Sequence, residues 1–364
     1  MFTNKKADYI ICIVFVLIIL TVSVFSAQNA ICDYFKYNSS LNTRSAMLVV
    51  AASDQPKTVL LGGDSVGFEY QSRGVLVLGK NKLFIKDDFV DNFCNDEIVQ
   101  GDIIMQVNGA DVNTPDEICE ILNNKEQQGR YVSIKAVRKG KIYETSIKPA
   151  YDLLTKKYKL GLWVKNTING LGTLTYIDEQ TGRFGALGHH ILENNTGVSL
   201  PVNNGDLYGC TVLGIKRAVR GNTGEIKGLL KTNAVLGTVD KNISSGIYGE
   251  ANELMLNQQR ARIAVGGKHT VVPGKALMYC SIDGKNVRAY DIEIIKTNRQ
   301  SYGNKDMVIK VTDNRLIKAS GGIVQGMSGS PIVQNGKLIG AVTHVFINDA
   351  TKGFGIYIDN MLPN

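Results

Sequence analysis

A serine within a turn of small residues, followed at once by a β-hairpin, constrains this chain more than any other feature. Residues 326–331 read Gly-Met-Ser-Gly-Ser-Pro. Small residues on both sides of Ser328 let the backbone turn sharply and present one hydroxyl to a cleft. The segment 331–344 then places two β-rich runs around Asn335 and Gly336, which is the sequence of a tight hairpin turn. The pattern predicts a strand pair that displays a single serine, although an ordinary Gly/Ser turn is the alternative.

Composition favours a β-rich globular protein without a cofactor. The chain has 364 residues, of which 44% are hydrophobic and 20% charged, and it contains 38 glycines. This length predicts two or three domains, and many short Val/Ile/Leu/Thr runs between glycines favour strands. No glycine-rich phosphate loop and no zinc-protease motif occurs, so we predict no nucleotide and no metal. The six cysteines lack metal-ligand spacing, and a Cys210–Cys280 pair stays open.

The net charge of +8 does not predict a nucleic-acid partner. Its basic residues are scattered in ones and twos and are not interleaved with aromatic residues, as a nucleic-acid platform would require. We interpret them as a solvated basic surface that is attracted to anionic lipid headgroups.

The N-terminal end predicts a membrane anchor. Residues 9–27 are uncharged and long enough to span a bilayer, and Lys5 and Lys6 precede them. Because flanking lysines favour the cytoplasmic side, we expect residues 1–8 to be cytoplasmic and the bulk of the chain to lie across the membrane. A cleaved signal peptide is the alternative to this signal anchor. Residues 28–57 are polar and aperiodic, as in a linker.

Residues 58–150 predict a small α+β unit. A strand starts near Gly101 and closes with an Asn-Gly turn, and helix-start residues follow at 113–116. Within 117–122, the apolar positions 118, 119, 121 and 122 form one helix face, and a hairpin completes the unit. This order resembles a bacterial PDZ domain. Within it, 62–68 resembles the loop that captures a peptide end, which makes Val66, Gly67 and Phe68 candidate peptide-binding residues. A purely structural role for that loop is the alternative.

The second unit, 151–364, contains the candidate catalytic residues. A serine nucleophile needs a base that is neutral near pH 7, and only four histidines exist. His189 follows an apolar run and a glycine, so we predict it to be the base, with His190 as the alternative. The amides of Gly326 and Ser328 are the candidate oxyanion hole. A carboxylate should orient the imidazole, and spacing alone leaves open six candidates between base and nucleophile: Asp206, Asp240, Asp283, Asp291, Asp306 and Asp313.

The nucleophile segment resembles that of trypsin-like serine peptidases, and a closer resemblance covers nearly the whole chain. Residues 184–189, 312–315 and 321–331 resemble the hallmark segments of stage IV sporulation protein B-type peptidases. The plan of that family is one membrane anchor, a PDZ domain and a serine peptidase domain. The resemblance implies a trypsin-like double β-barrel with His189 as base, Asp313 as acid and Ser328 as nucleophile.

The same resemblance implies a signalling role during endospore formation. Members act in the space between the two membranes around the forespore, cleave themselves and membrane-embedded regulators of an intramembrane protease, and so lead to activation of a late sigma factor in the mother cell. Two other functions compete with this expectation. One is a membrane-tethered, non-catalytic PDZ scaffold, and the other is a general envelope quality-control protease.

Overall fold

A computed structural model describes residues 57–90, 97–300 and 303–362. The architecture is mainly β, as the sequence predicts. In chain order the strands are β1 (Thr58–Leu61), β2 (Ser65–Lys80), β3 (Leu83–Ile85), β4 (Asp88–Val90), β5 (Ile103–Val107), β6 (Ala110–Asp111), β7 (Val132–Arg138), β8 (Lys141–Ile147), β9 (Ala150–Asp152), β10 (Lys157–Lys159), β11 (Leu162–Ile177), β12 (Arg183–Ala186), β13 (Val202–Lys216), β14 (Glu225–Ile243), β15 (Gly246–Ala251), β16 (Arg262–Val265), β17 (Gly274–Cys280), β18 (Arg288–Thr297), β19 (Met307–Val311), β20 (Pro331–Gln334), β21 (Lys337–Phe346) and β22 (Asp349–Tyr357).

The helices of the described residues are short. They are α1 (Pro115–Asn123), α2 (Glu253–Leu256), α3 (Asn314–Ser320) and α4 (Ile358–Met361), with a 3₁₀ turn at Lys268–Thr270. None of them is long and apolar enough to cross a membrane, and the predicted span at 9–27 lies outside the described residues. The thiols of Cys119, Cys210 and Cys280 are free, so the Cys210–Cys280 pair that the sequence left open is not formed.

The predicted helix of the α+β unit is confirmed, and its cap explains where it begins. Thr114 accepts a hydrogen bond from the Glu117 amide, and the Glu117 carboxylate accepts from the Thr114 amide, which forms a capping box. Pro115 occupies the first turn, where its missing N–H costs nothing. The buried face of α1, Ile118 and Leu122, belongs to a hydrophobic core that also contains residues of β5 and β7.

The hairpin after Ser328 is also confirmed. β20 and β21 pair antiparallel, and the turn between them holds Asn335 at φ 51° and Gly336 at φ 73°. Two consecutive left-handed residues match the twist of the flanking strands, which is why Asn-Gly is favoured there.

Two long strands join the α+β unit to the rest of the chain. β2 and β11 pair antiparallel along nearly their whole length. The second half of β2 pairs with β5, whereas its first half pairs with β13 on the edge opposite β11. One 18-stranded sheet results. The two largest hydrophobic cores lie among β2 and β11–β15 and among β17–β22. Two such cores in one sheet are the arrangement expected of a double β-barrel.

The structure does not place Val66, Gly67 and Phe68, the predicted peptide-binding residues, at a free strand edge. These residues lie inside β2, which is paired on both edges there, by β11 and by β13. The side chains of Val66 and Phe68 are 1% exposed in the core. A strand without a free edge has no backbone groups to offer to an added peptide strand.

Candidate active site

Ser328 and His189 line the same cavity, as the sequence predicts. The cavity has a volume of about 690 Å³ and also contains Gly326, His190, Thr343 and His344 on its walls. The lining also includes apolar residues, among them Leu171, Leu187, Ile226, Ile323 and Val345, and the charged residues Lys165, Glu193 and Glu225. The predicted nucleophile and base therefore face one space that is large enough for part of a peptide.

The turn around Ser328 depends on its glycines. Gly326 and Gly329 have φ values of 97° and 94°, in the region that side chains disfavour. A Cβ on Gly329 would lie 2.0 Å from the carbonyl oxygen of Thr173, so no other residue fits there.

This turn leaves two backbone donors for a negatively charged oxygen. Across the ranges that the structure describes, the N–H groups of Gly326 and Ser328 donate no hydrogen bond. Two free amides beside a nucleophile are the elements of an oxyanion hole, which agrees with the predicted role of both residues.

The Ser328 hydroxyl donates to the backbone oxygen of Thr343 at 2.7 Å. That oxygen points into the site because β21 has an irregular register between Val342 and Val345. Because the only hydroxyl proton of Ser328 is directed at the Thr343 oxygen, its transfer to His189 requires a rotation of the Ser328 side chain.

A backbone carbonyl orients the ring of His189, and burial keeps the ring neutral. Two left-handed residues, Leu187 (φ 69°) and Gly188 (φ 70°), turn the chain at the end of β12 and aim the imidazole into the cavity. Its Nδ1 atom lies 2.8 Å from the carbonyl oxygen of His190. Because a carbonyl only accepts, Nδ1 carries the proton and Nε2 is left as the basic atom. Burial lowers the pKa of His189, so the ring is neutral at pH 7.

His344 is a further residue of the site that the predicted catalytic set does not include. Its ring lies beside that of His189, with the two centroids 4.9 Å apart. Burial lowers the pKa of His344 to about 4, so it remains uncharged next to the base. The signal in the sequence is its place in β21, the second strand of the hairpin that follows Ser328.

His190 also lines the cavity, but it contributes its backbone oxygen to the orientation of its neighbour. This arrangement favours His189 over His190 as the base. The loop itself is anchored from below by Asn242, which accepts from the Ile191 amide at 2.8 Å and donates to the Ile191 carbonyl at 3.0 Å. Asn242 also donates to the hydroxyl of Tyr70 in β2.

The structure does not bring Asp313 to the base. Asp313 caps α3: its carboxylate accepts from the Arg315 amide at 2.8 Å and forms an ion pair with the Arg315 guanidinium at 2.6 Å. It also accepts from the backbone N–H of Asp291. The Arg315 contact lowers the pKa of Asp313 to about 2. The predicted role of Asp313 as the acid of a triad is therefore not what this structure shows, because the group beside Nδ1 of His189 is a carbonyl.

A second cavity of about 250 Å³ lies between α1 and the start of β11. Leu160, Gly161 and Leu162 line it, opposite Ile118 and Leu122 of the helix. Asn123 anchors the entry to this segment, since its side chain donates to the Tyr158 carbonyl at 3.1 Å and accepts from the Tyr158 amide at 2.8 Å.

This second cavity has the features of a peptide-binding groove. β11 pairs with β2 at residues 162–165, and no strand of the described chain pairs with the edge that faces α1. A free strand edge, a Leu-Gly-Leu turn and an apolar helix face are what peptide capture uses. In the α+β unit, the free strand edge and the apolar cavity thus lie at 160–165 and not at 62–68.

No group of three or more His, Cys, Asp or Glu residues within the described ranges could hold a metal ion.

Comparisons with known proteins identify the family of this chain. The family model of the SpoIVB peptidase S55 matches residues 156–362. The solved structure of the active form of the Rv3671c protease from M. tuberculosis is 17% identical, covers 53% of this chain and 71% of its own, and has a TM-score of 0.30. The PDZ domain of the SdrC-like protein from Listeria monocytogenes is 22% identical, covers 25% of this chain and 87% of its own, and has a TM-score of 0.20. The family match spans more than half of the sequence, includes His189 and Ser328, and shows that this chain is a serine peptidase that belongs to the SpoIVB peptidase S55 family.

Proposed function

We propose that the protein is a membrane-anchored serine endopeptidase that cleaves itself and regulatory membrane proteins, and so signals from forespore to mother cell in endospore formation. The observation that carries the catalytic part is the placement of Ser328, neutral His189 and two free amides around one cavity. The signalling part is supported by family membership and by the apolar run at 9–27.

The site geometry leads to acyl transfer. After rotation away from Thr343, the Ser328 oxygen attacks a peptide carbonyl while Nε2 of His189 takes its proton. The His190 carbonyl accepts from Nδ1–H and stabilises the imidazolium that forms. The Gly326 and Ser328 amides bind the oxyanion. His189 then gives its proton to the leaving amine, and water releases the acyl group in the reverse sequence.

Self-cleavage fits the polar segment 28–57, which connects the predicted anchor to the described residues. A cut there would release the peptidase from the membrane. Anchoring with lysines 5 and 6 inside would place the site across the membrane from the cytoplasm, in the space between the forespore membranes. The regulators that are cleaved would then be membrane-embedded proteins that expose an extended segment in that space.

A peptide-binding role accompanies the peptidase activity. It is supported by the apolar cavity between α1 and residues 160–162 and by the unpaired edge of β11 beside it. An extended segment with an apolar side chain would add as a strand to that edge and place the side chain against Ile118 and Leu122.

The test uses the full chain in vesicles of anionic phospholipid, as wild type, Ser328→Ala and Ser330→Ala. Ser330 is the matched control because it lies two residues on and is fully buried. We expect wild type and Ser330→Ala to fragment near the N-terminus and to react with a fluorophosphonate, and Ser328→Ala to do neither. If none of the three reacts or fragments, the peptidase mechanism fails and a PDZ scaffold is the better explanation. Broad digestion of unfolded casein by wild type would instead favour a quality-control protease.

A further inference from the structure

We propose that Thr173 of β11 is a positioning residue that holds the oxyanion hole in its active geometry. The inference rests on the proposed peptidase mechanism and assigns a role to a residue outside the predicted catalytic set. The Thr173 amide donates to the Ser328 carbonyl at 2.9 Å, and the Thr173 hydroxyl donates to the Gly326 carbonyl at 2.8 Å. Thr173 therefore holds the C=O groups of the same two cavity-lining residues whose N–H groups have no acceptor within the described residues.

The hydroxyl contact matters because Gly326 is free to rotate. A glycine at φ 97° has little steric restriction, so the peptide groups on both sides of it can turn over at low cost. The Gly326 carbonyl belongs to the 326–327 peptide group and the Ser328 carbonyl to the 328–329 group. Fixing both restrains the peptide group between them, which carries the Ser328 N–H, and one of the two peptide groups that meet at Gly326. An oxyanion hole contributes to rate only while its donors are held in advance of the reaction.

The position of Thr173 makes these contacts durable. Its side chain is 1% exposed, so water does not compete for the hydrogen bonds. The Thr173 carbonyl also accepts from the Leu187 amide at 3.2 Å, at the start of the turn that carries His189. One residue thus joins the nucleophile loop to the base loop.

Thr175, two residues along the same strand face, provides a matched control. Its hydroxyl donates to the Gly329 carbonyl at 2.8 Å, and Thr175 is fully buried. The bond is similar in length, burial and chemistry, but Gly329 does not contribute a donor to the oxyanion. Removing either hydroxyl therefore has a comparable effect on stability, whereas only the loss at Thr173 acts on the oxyanion hole.

The experiment compares the full-length wild type, Thr173→Val, Thr173→Ser and Thr175→Val. It measures the second-order rate constant for labelling by a fluorophosphonate, whose phosphoryl oxygen occupies the oxyanion position, and the thermal midpoint of each variant. We expect Thr173→Val to label about 10–100-fold more slowly, which is less than the loss from deleting a donor outright. Thr173→Ser, which keeps the hydroxyl, and Thr175→Val should stay within about threefold of wild type, a span of under 1 kcal/mol in barrier height.

The pH dependence separates the role of Thr173 from an effect on the base. The slowing in Thr173→Val should be equal from pH 6 to pH 9, because His189 is unchanged. A labelling rate equal to that of Thr175→Val at the same thermal midpoint would overturn the inference. If wild type does not label at all, the proposed mechanism fails and this inference fails with it. Should Thr173→Val not fold, Thr173→Ala against Thr173→Ser gives the same comparison.

Discussion

Replacing Asp313 tests whether this residue stabilises the fold or takes part in catalysis. In the structure its carboxylate accepts from the Arg315 amide and from the Asp291 amide, and it pairs with the Arg315 guanidinium. Asp313→Asn keeps a side-chain oxygen for the cap, since Asn caps helices as well as Asp does. Asp313→Ala removes the cap and the ion pair together.

The magnitudes follow from these contacts. Loss of a cap costs about 1 kcal/mol, and leaving the Asp291 N–H without its acceptor costs about 1 kcal/mol more. Arg315 is largely exposed, so the ion pair itself adds little. Asp313→Ala should therefore lower the free energy of unfolding by about 2 kcal/mol and the thermal midpoint by about 3 °C. Asp313→Asn should lose less than about 1 kcal/mol.

Catalysis separates the two roles far more strongly. If Asp313 oriented the imidazole, Asp313→Asn would reduce kcat by about 10⁴-fold through the wrong tautomer. The structure gives that task to the His190 carbonyl, so we expect Asp313→Asn to keep kcat within about fivefold. Self-cleavage and fluorophosphonate labelling at 20 °C, with circular dichroism to verify folding, measure both effects, and Arg315→Gln controls for the ion pair. A folded Asp313→Asn that is slower by 10³-fold or more would refute the assignment.

Three further changes have definite expected results. Gly329→Ala places a methyl group against the Thr173 carbonyl, so labelling should fall more than 100-fold with a lower thermal midpoint, as a labelling assay and a melt would show. The rate of labelling should stay level from pH 7 to 8 and fall at lower pH, with a midpoint below 6.5. The reason is that burial lowers the pKa of His189 and only the neutral ring accepts a proton. A midpoint above 7 in the pH–rate profile would contradict this. Asn123→Ala leaves two backbone groups of Tyr158 without partners, so it should cost about 2 kcal/mol in urea unfolding while labelling at Ser328 is unchanged.

The sequence could predict the parts of the site that depend on neighbouring residues. The turn around Ser328 needs left-handed glycines, and the hairpin needs Asn-Gly, so both are visible in the order of residues. The start of α1 is equally local, since Thr114 and Glu117 bond to each other's amides. His189 follows the same logic because the glycine before it turns the chain toward the cavity.

The sequence could not predict which segment of the α+β unit has a free strand edge, because this depends on how distant strands pair. Residues 62–68 and residues 160–162 both carry glycine next to apolar residues at the start of a strand. β13 covers the first strand, whereas the second has an unpaired edge beside α1. That difference comes from strands more than forty residues away in either case, which a local pattern does not contain.

For Asp313, in contrast, the neighbouring residues indicate a helix N-cap, whereas the family resemblance implies a catalytic acid. An aspartate before Asn-Arg-Leu at the start of a short apolar helix has the sequence of an N-cap. The cap accounts for the contact with the Arg315 amide, and an ion pair with the Arg315 guanidinium accompanies it. The structure shows the N-cap role for Asp313.

The shared strands also determine how the protein can be divided. The predicted boundary at 150 separates β2 from the strands that cover its first half, although β2 pairs with β11 and β13 over that region. A fragment that ended at 150 would expose Val66, Phe68 and Tyr70, each at most 1% exposed in the whole chain. At about 1.5–3 kcal/mol for each such side chain, the loss approaches the total stability of a small domain. The cavity beside α1 and the cavity that contains Ser328 therefore depend on the same pair of strands, β2 and β11. Each should be assayed in a chain that contains both strands.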